Sequence, residues 1–210
     1  LETADGKNKL RVGGRIHWDN AFSSDDDYTS DGDTFRRARL YVSGQIQERY
    51  DFKMQYEFAN GDAAFKDVNF GIKGLPVIGN LRVGQFKEPF SLEEHASSND
   101  IPVIERANLN SLVPSRSAGL MIYNNYADQR ITGAVGLFRG NDDKWGNYEG
   151  DGYAATARLT GLPMKKEDGS QLIHLGVAYS HRDDEIATYK FSSDHSMAPS
   201  TKYKISNVND

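Results

Sequence analysis

The sequence predicts an all-β protein, an antiparallel transmembrane β-barrel in which residues 1–210 form a single domain. Side chains alternate between apolar and charged with a period of two along most of the chain, as in strands that face lipid on one side and water on the other. Long polar connections alternate with short turns, which is typical of barrels in bacterial outer membranes. Arginine dominates the polar positions, and aromatic residues lie near the strand ends, where they suit the membrane interfaces.

Nine strands follow from this alternation, and a tenth is expected near Ala187–Phe191. In the first strand, Leu10, Val12 and Ile16 alternate with Arg11 and Arg15. The nine predicted strands are Leu10–Phe22, Arg37–Ile46, Tyr50–Phe58, Asp67–Lys73, Leu81–Gly84, Gly119–Asn124, Arg130–Leu137, Tyr153–Thr160 and Ile173–Arg182.

Composition narrows the class of protein. The net charge of −5 does not indicate nucleic acid as a partner. No apolar run approaches the roughly 20 residues that a membrane-spanning helix needs, so a helical membrane protein is excluded. The chain has no cysteine, which excludes thiol chemistry and thiolate metal sites. A soluble β-sandwich would also alternate, but its polar face would be rich in Thr, Ser, Lys and Glu rather than Arg.

The polar face is predicted to line a water-filled lumen and to be basic by about two to one, with Asp19, Asp51, Glu57, Asp67 and Glu88 as the opposing acids. The predicted pore-lining basic residues are Arg11, Arg15, Arg37, Arg39, Lys53, Lys73, Arg82, Arg130, Arg158 and Arg182. One interpretation is anion conduction, because arginine stays charged and its fork suits carboxylate and phosphate oxygens. The other is structural, with these cations bracing the wall by pairing with the acids.

Five segments, in their order and spacing, resemble the phosphate-selective porin O and P family. They are Val12–Ile16, Phe35–Gly44, Val83–Glu93, Ile104–Ala107 and Pro114–Gly119. The resemblance implies a 16-stranded, homotrimeric porin of the Gram-negative outer membrane, in contact with lipid and lipopolysaccharide. It implies passage of small hydrophilic solutes, with phosphate as a candidate. The excess of basic residues on the polar face predicts a weak preference for anions. Because family chains are longer, we expect an N-terminal fragment with nine or ten of those strands.

The resemblance also implies that residues 91–117 fold into the lumen as a constriction loop. The charged residues expected there are Glu93, Glu94, His95, Asp100, Glu105, Arg106 and Arg116. In phosphate-selective members, lysines on or near this loop carry selectivity, whereas this chain has no Lys or Arg between Lys87 and Arg106. We expect Arg106 and Arg116 to anchor the loop to the wall through nearby acids, with a ligand role as the alternative.

The remaining acidic residues lie mainly in loops. Asp25, Asp26 and Asp27 form a weak candidate Ca²⁺ site, since oxygen-rich loops suit Ca²⁺ although the spacing is not that of an EF-hand. No cofactor is expected. An alternative function is a surface structural or adhesion barrel whose acidic loops are bridged by cations. An enzyme is not expected, because the neighbouring Ser180 and His181 point to opposite sides of a strand and cannot form a nucleophile–base pair.

Overall fold

The protein forms one nine-stranded antiparallel sheet in which the strands follow one another in chain order. The computed structural model describes residues 1–21, 32–59, 61–101, 105–139, 152–183, 189–193 and 203–208. The strands of the sheet are β1 (Lys9–Ala21), β2 (Gly32–Ile46), β3 (Tyr50–Glu57), β4 (Ala64–Leu75), β5 (Gly79–Lys87), β6 (Arg116–Tyr126), β7 (Ile131–Arg139), β8 (Tyr153–Lys165) and β9 (Leu172–Asp183). Within the described residues, β1 and β9 are the two edges, so the sheet is open there.

All nine predicted strands are present, which confirms the predicted fold class. The expected tenth strand corresponds to β10 (Tyr189–Ser193). It pairs with β11 (Tyr203–Val208) in a separate two-stranded sheet, and β11 was not predicted. Two short helical segments, α1 (Leu92–His95) and a 3-10 turn (Asn108–Leu112), lie between β5 and β6. None of the helices in the described part of the chain is long and apolar enough to cross a membrane.

Alternation along the strands gives the sheet an apolar face and a charged face. On the apolar face, Val12 and Ile16 are 74% and 77% exposed, and Leu40 and Val177 are also exposed. Soluble proteins rarely expose apolar patches that extend over a whole sheet. The uncovered apolar face is therefore the surface expected of a strand-built membrane wall.

The charged face is divided into two regions with different side chains. We call the part on β1–β3 the cationic wall; it carries Arg11, Arg15, Arg37, Arg39 and Lys53. We call the part on β5–β8 the packed wall; it carries Phe86, Met121, Phe138, Ala154 and Thr156, all nearly inaccessible to solvent.

The packed wall owes its close packing to glycine as well as to aromatic rings. The rings of Phe86 and Phe138 meet edge to face with centroids 5.6 Å apart. A Cβ atom on Gly136 would lie 2.6 Å from the Phe138 ring, so only glycine lets the ring lie flat on the strand. The only hydrophobic cluster of buried residues in the described chain thus lies on the charged face and not on the apolar one.

Connections alternate in length as predicted, except between β3 and β4, where the sequence also has a short gap near residues 60–64 in place of a long loop. Short turns join β2 to β3, β4 to β5 and β6 to β7, whereas long connections follow β1, β5 and β7. The connection after β5, residues 88–115, begins on the charged face, and several of its residues bond to side chains of that face. It contains α1, whose N-cap Ser91 accepts a hydrogen bond from the Glu94 backbone N–H.

A β-bulge in β2 changes which side chains face the loop. His17 pairs with Arg37 and Trp18 pairs with Phe35, so Arg36 has no opposite residue in β1. A bulge shifts the alternation by one residue. Consequently Phe35 is exposed with the apolar residues, whereas Arg36 and Arg37 both reach toward the loop.

Candidate functional site

A cavity of about 700 Å³ lies between the cationic wall and the loop that follows β5. Two carboxylate side chains, Asp67 and Glu94, are in its lining. Ten lysines and arginines line it: Arg11, Arg15, Arg36, Arg37, Arg39, Lys53, Lys66, Lys87, Arg106 and Arg116. Serine, asparagine and glutamine side chains also line it, together with Tyr41 and His95, so the cavity is polar and strongly basic.

Several of these cations are paired with acids, as the structural interpretation of the sequence expected. Lys53 Nζ lies 2.6 Å from Asp67 Oδ2, and Arg116 Nε lies 2.8 Å from Asp67 Oδ1. Arg39 donates to Glu57, which also accepts the Ala38 backbone N–H at 2.6 Å. These bonds fix the positions of the cations relative to the strands.

Arg15 and Arg11 differ from the paired cations. Arg15 donates to Ser98 Oγ at 2.9 Å and to Asn99 Oδ1, both neutral groups. Among the described residues, neither arginine has a carboxylate oxygen within 4.0 Å of its guanidinium nitrogens. Their charge is therefore not offset by an ion pair within the described part of the chain.

The β2 bulge builds a contact between the wall and the loop. Arg36 Nε lies 2.5 Å from Glu105 Oε1, and Arg37 Nη2 lies 3.5 Å from Glu105 Oε2. Arg37 also donates to His17 Nδ1 at 2.7 Å. Because Nδ1 accepts this bond, His17 carries its hydrogen on Nε2, which lies 3.1 Å from Asp19 Oδ1. The chain of contacts holds Arg37, which is 2% exposed, in one orientation.

Within the loop, Glu94 is the main acceptor. It receives hydrogen bonds from Asn110 Nδ2 and Ser115 Oγ, both at 2.9 Å, and Lys87 Nζ lies 3.6 Å from it. Burial alone would raise the pKa of Glu94, but the bond from Asn110 and the charge of Lys87 hold that pKa below its ordinary value. Glu94 therefore stays ionised and offsets part of the cationic charge.

The other predicted loop residues have local roles. Arg106 donates to the backbone oxygens of Glu93 and Ala96, at 3.0 and 2.8 Å. These bonds lie within the loop, so Arg106 shapes the loop and does not tie it to the wall as expected. Arg116 belongs to β6 and does reach a wall residue, Asp67 on β4. Asp100 is exposed, with its backbone N–H bonded to the Ser97 oxygen.

The remaining members of the predicted basic set lie outside the cationic wall. Arg82 lies over the rings of Phe86 and Tyr123, at 5.8 and 5.2 Å from their centroids, and close to Asp51. Arg182 and Arg158 are on the charged face of β9 and β8, and Lys73 is half-buried on β4. Arg130 is an exposed residue of the turn before β7 and not of a strand.

Three cations that sequence reasoning left out line the cavity: Arg36, Lys66 and Lys87. Arg36 is turned inward by the bulge. Lys87 ends β5, and its Nζ donates to the backbone oxygen of Glu94. The signal that could have indicated Arg36 is its position next to Arg37, since two adjacent charged residues break the period of two. The candidate Ca²⁺ residues Asp25, Asp26 and Asp27 lie outside the described residues.

The fold and the basic face together define a porin-type barrel segment. The sequence model for the phosphate-selective porin O and P family matches residues 10–209. The chain therefore belongs to this family of outer-membrane porins, which are channels and not a family of enzymes. A search of curated proteins found no match.

Proposed function

We propose that this chain forms the wall of an outer-membrane porin that passes small hydrophilic solutes with a weak preference for anions. In this proposal the charged face lines the pore, the apolar face contacts lipid and lipopolysaccharide, and residues 91–117 form the constriction. The supporting observation is the cavity with ten cationic and two carboxylate side chains beside the loop. Fixed charges in a narrow aqueous path lower the cost of moving ions of the opposite sign.

The cations that bear most directly on selectivity are Arg11 and Arg15. The paired cations are largely neutralised by Asp67, Glu57 and Glu105. Arg11 and Arg15 lie four residues apart on β1, about 13 Å along the strand. They would offer a moving anion two successive points of attraction.

Phosphate is a second, more specific candidate for the solute. The loop itself has no lysine, but lysines from the strands support this candidate. Lys53, Lys66 and Lys87 line the same cavity although they come from β3, β4 and β5. The cavity therefore contains lysine, although the loop has none between Lys87 and Arg106. Together with the family to which the chain belongs, these residues support phosphate as one of the anions carried. We also propose the homotrimeric, Gram-negative assembly on the basis of the family alone.

Planar-bilayer recordings of the full-length protein test the proposal. Under a KCl gradient, the reversal potential should have the sign of chloride preference, and cation preference would overturn the anion assignment. Addition of millimolar phosphate should then reduce the chloride current if phosphate binds, whereas an unchanged current rejects the phosphate candidate alone. The competing function, an adhesion or structural barrel with cation-bridged loops, predicts no conductance and surface binding that chelation of Ca²⁺ abolishes.

A further inference from the structure

The carboxylate of Glu88 is completely buried at the point where the chain leaves β5. Its Oε1 accepts hydrogen bonds from Ser117 Oγ at 2.7 Å and from Arg182 Nη2 at 2.6 Å. Its Oε2 accepts from Thr156 Oγ1 at 2.7 Å. A buried carboxylate is tolerated only where it is paired and hydrogen-bonded, and here both oxygens have partners.

The backbone of the same residue is also fully used. The Glu88 N–H donates to the Ser115 oxygen at 2.9 Å. Its carbonyl oxygen lies 2.8 Å from His95 Nε2, and because a carbonyl only accepts, His95 is the donor. Glu88 thus contacts α1 near the start of the loop, Ser115 at its end, and, through its side chain, strands β6, β8 and β9.

The loop's contacts with the cationic wall are of a different kind. Arg15 reaches neutral Ser98 and Asn99. Glu105, whose side chain is 25% exposed, pairs with the half-exposed Arg36 and, at 3.5 Å, with the buried Arg37. Exposed ion pairs and neutral bonds contribute little, whereas a fully buried charged network is strongly weakened by loss of one member. Lys87 of β5 attaches α1 separately, through the Glu94 backbone oxygen. Glu88, whose side chain is 0% exposed, is nevertheless a more deeply buried attachment of the loop than Glu105, whose side chain is 25% exposed.

We propose that Glu88 is the positioning residue that holds the loop against the packed wall and so keeps the cavity beside the cationic wall open. This inference rests on the proposed function. Without the Glu88 contacts, the loop would be held by Lys87 at the end of β5 and by Arg15, Arg36 and Arg37, which would draw it toward the cationic wall. The passage for anions would then narrow and fluctuate.

Two independent variants test this role in the full-length protein. Glu88→Gln removes the charge that Arg182 binds, and Thr156→Val removes one donor while keeping the side-chain volume. Thr156→Ser restores the hydroxyl and serves as the matched control. Residues 1–210 contain no cysteine, so Leu109→Cys introduces one site for a nitroxide spin label in this part of the protein; Leu109 is 73% exposed and lies on the loop.

The expected result is a rise in the mobile fraction of the spin label. It should be roughly tenfold in Glu88→Gln, as expected for loss of a charge-assisted hydrogen bond, and smaller in Thr156→Val. Thr156→Ser should match the parent. Single-channel recordings should show lower conductance and greater open-channel noise in the first two variants only.

An immobile label with unchanged currents in both Glu88→Gln and Thr156→Val would overturn the proposal, as would equal effects of Val and Ser at position 156. If Glu88→Gln does not insert into membranes, the Val and Ser pair decides the question. An unsubstituted protein that carries no anion current overturns the proposed function, and the spin label still reports separately on whether Glu88 positions the loop.

Discussion

The cationic wall and the packed wall belong to the same face of the same sheet, yet they differ in almost every physical property. Arg11, Arg15 and Lys53 keep contact with a polar cavity, whereas Phe138 and Ala154 are 3% and 0% exposed. Charged side chains need water or a partner, so they keep the space beside them open. Apolar side chains exclude water and pack against the residues that cover them. We infer from this difference that the packed wall supports the loop, whereas the cationic wall contacts the solute.

The largest effect should come from the packed wall. Phe138→Ala removes a buried ring that packs against Phe86, and we expect a loss of about 3–5 kcal/mol in the free energy of unfolding. Phe70→Ala is the matched control, because Phe70 is 45% exposed on the apolar face and lipid can fill the space. Denaturant titration in lipid vesicles measures both. Equal losses would show that the two faces are not packed differently.

The next effect should come from the cationic wall and should appear in selectivity rather than stability. Arg15→Glu reverses a charge that forms no ion pair with a carboxylate of the described residues, and we expect the chloride-to-potassium permeability ratio to fall by roughly fivefold, or about 1 kcal/mol in an aqueous pore. Arg130→Glu makes the same change in an exposed turn and should leave the ratio nearly unchanged. A similar fall in both variants would mean that net charge, and not the wall, sets selectivity.

A smaller effect is expected where the loop meets the cationic wall. Glu105→Gln frees Arg36 and Arg37 from their shared carboxylate and should raise the anion permeability ratio by about twofold, within the 0.2–1 kcal/mol typical of accessible ion pairs. Glu93→Gln is the control, since Glu93 accepts a bond from the Ala107 backbone inside the loop. The same recordings measure both variants, and a lower ratio in Glu105→Gln would contradict this view of Glu105.

The smallest effect should be a pH dependence of loop mobility. Desolvation by neighbouring protein atoms and the charge of Arg158 lower the pKa of His95 below its ordinary value of 6.5, although the residue is partly exposed to solvent. Neutral His95 contributes fully to the stability of the loop's attachment above pH 6.5. This contribution falls as the pH drops from 6.5 toward the lowered pKa that His95 has in the folded protein. A spin label at position 109 should therefore become slightly more mobile between pH 7 and pH 5. In His95→Gln, which can still donate to the Glu88 oxygen, mobility should not change with pH.

The strands and their two faces could be predicted because apolar and polar side chains alternate with a period of two along the sequence. The first strand can be predicted without tertiary information, because Leu10, Val12 and Ile16 alternate with Arg11 and Arg15. The division of the charged face into two walls could not be predicted, because it depends on where the loop packs. Phe86 and Phe138 lie far apart in sequence, and nothing local indicates that they meet.

The cavity was predicted only in part for a similar reason. Arg37 and Arg39 follow from alternation, but the inward turn of Arg36 depends on a one-residue bulge whose position is set by pairing with β1. Lys87 was missed because it is the last residue of β5, where the chain leaves the strand for the loop. The acceptor that fixes its side chain, the Glu94 backbone oxygen, lies in that loop.

The central claim, that fixed charge on the cationic wall selects anions, is tested most directly by the ionic-strength dependence of the reversal potential. At about 0.01 M salt, screening extends over about 30 Å, and at 1 M over about 3 Å. Under a constant KCl ratio, the full-length protein should show clear chloride preference at low salt and almost none near 1 M. A preference for potassium, or a chloride preference that does not change with salt, would contradict the account.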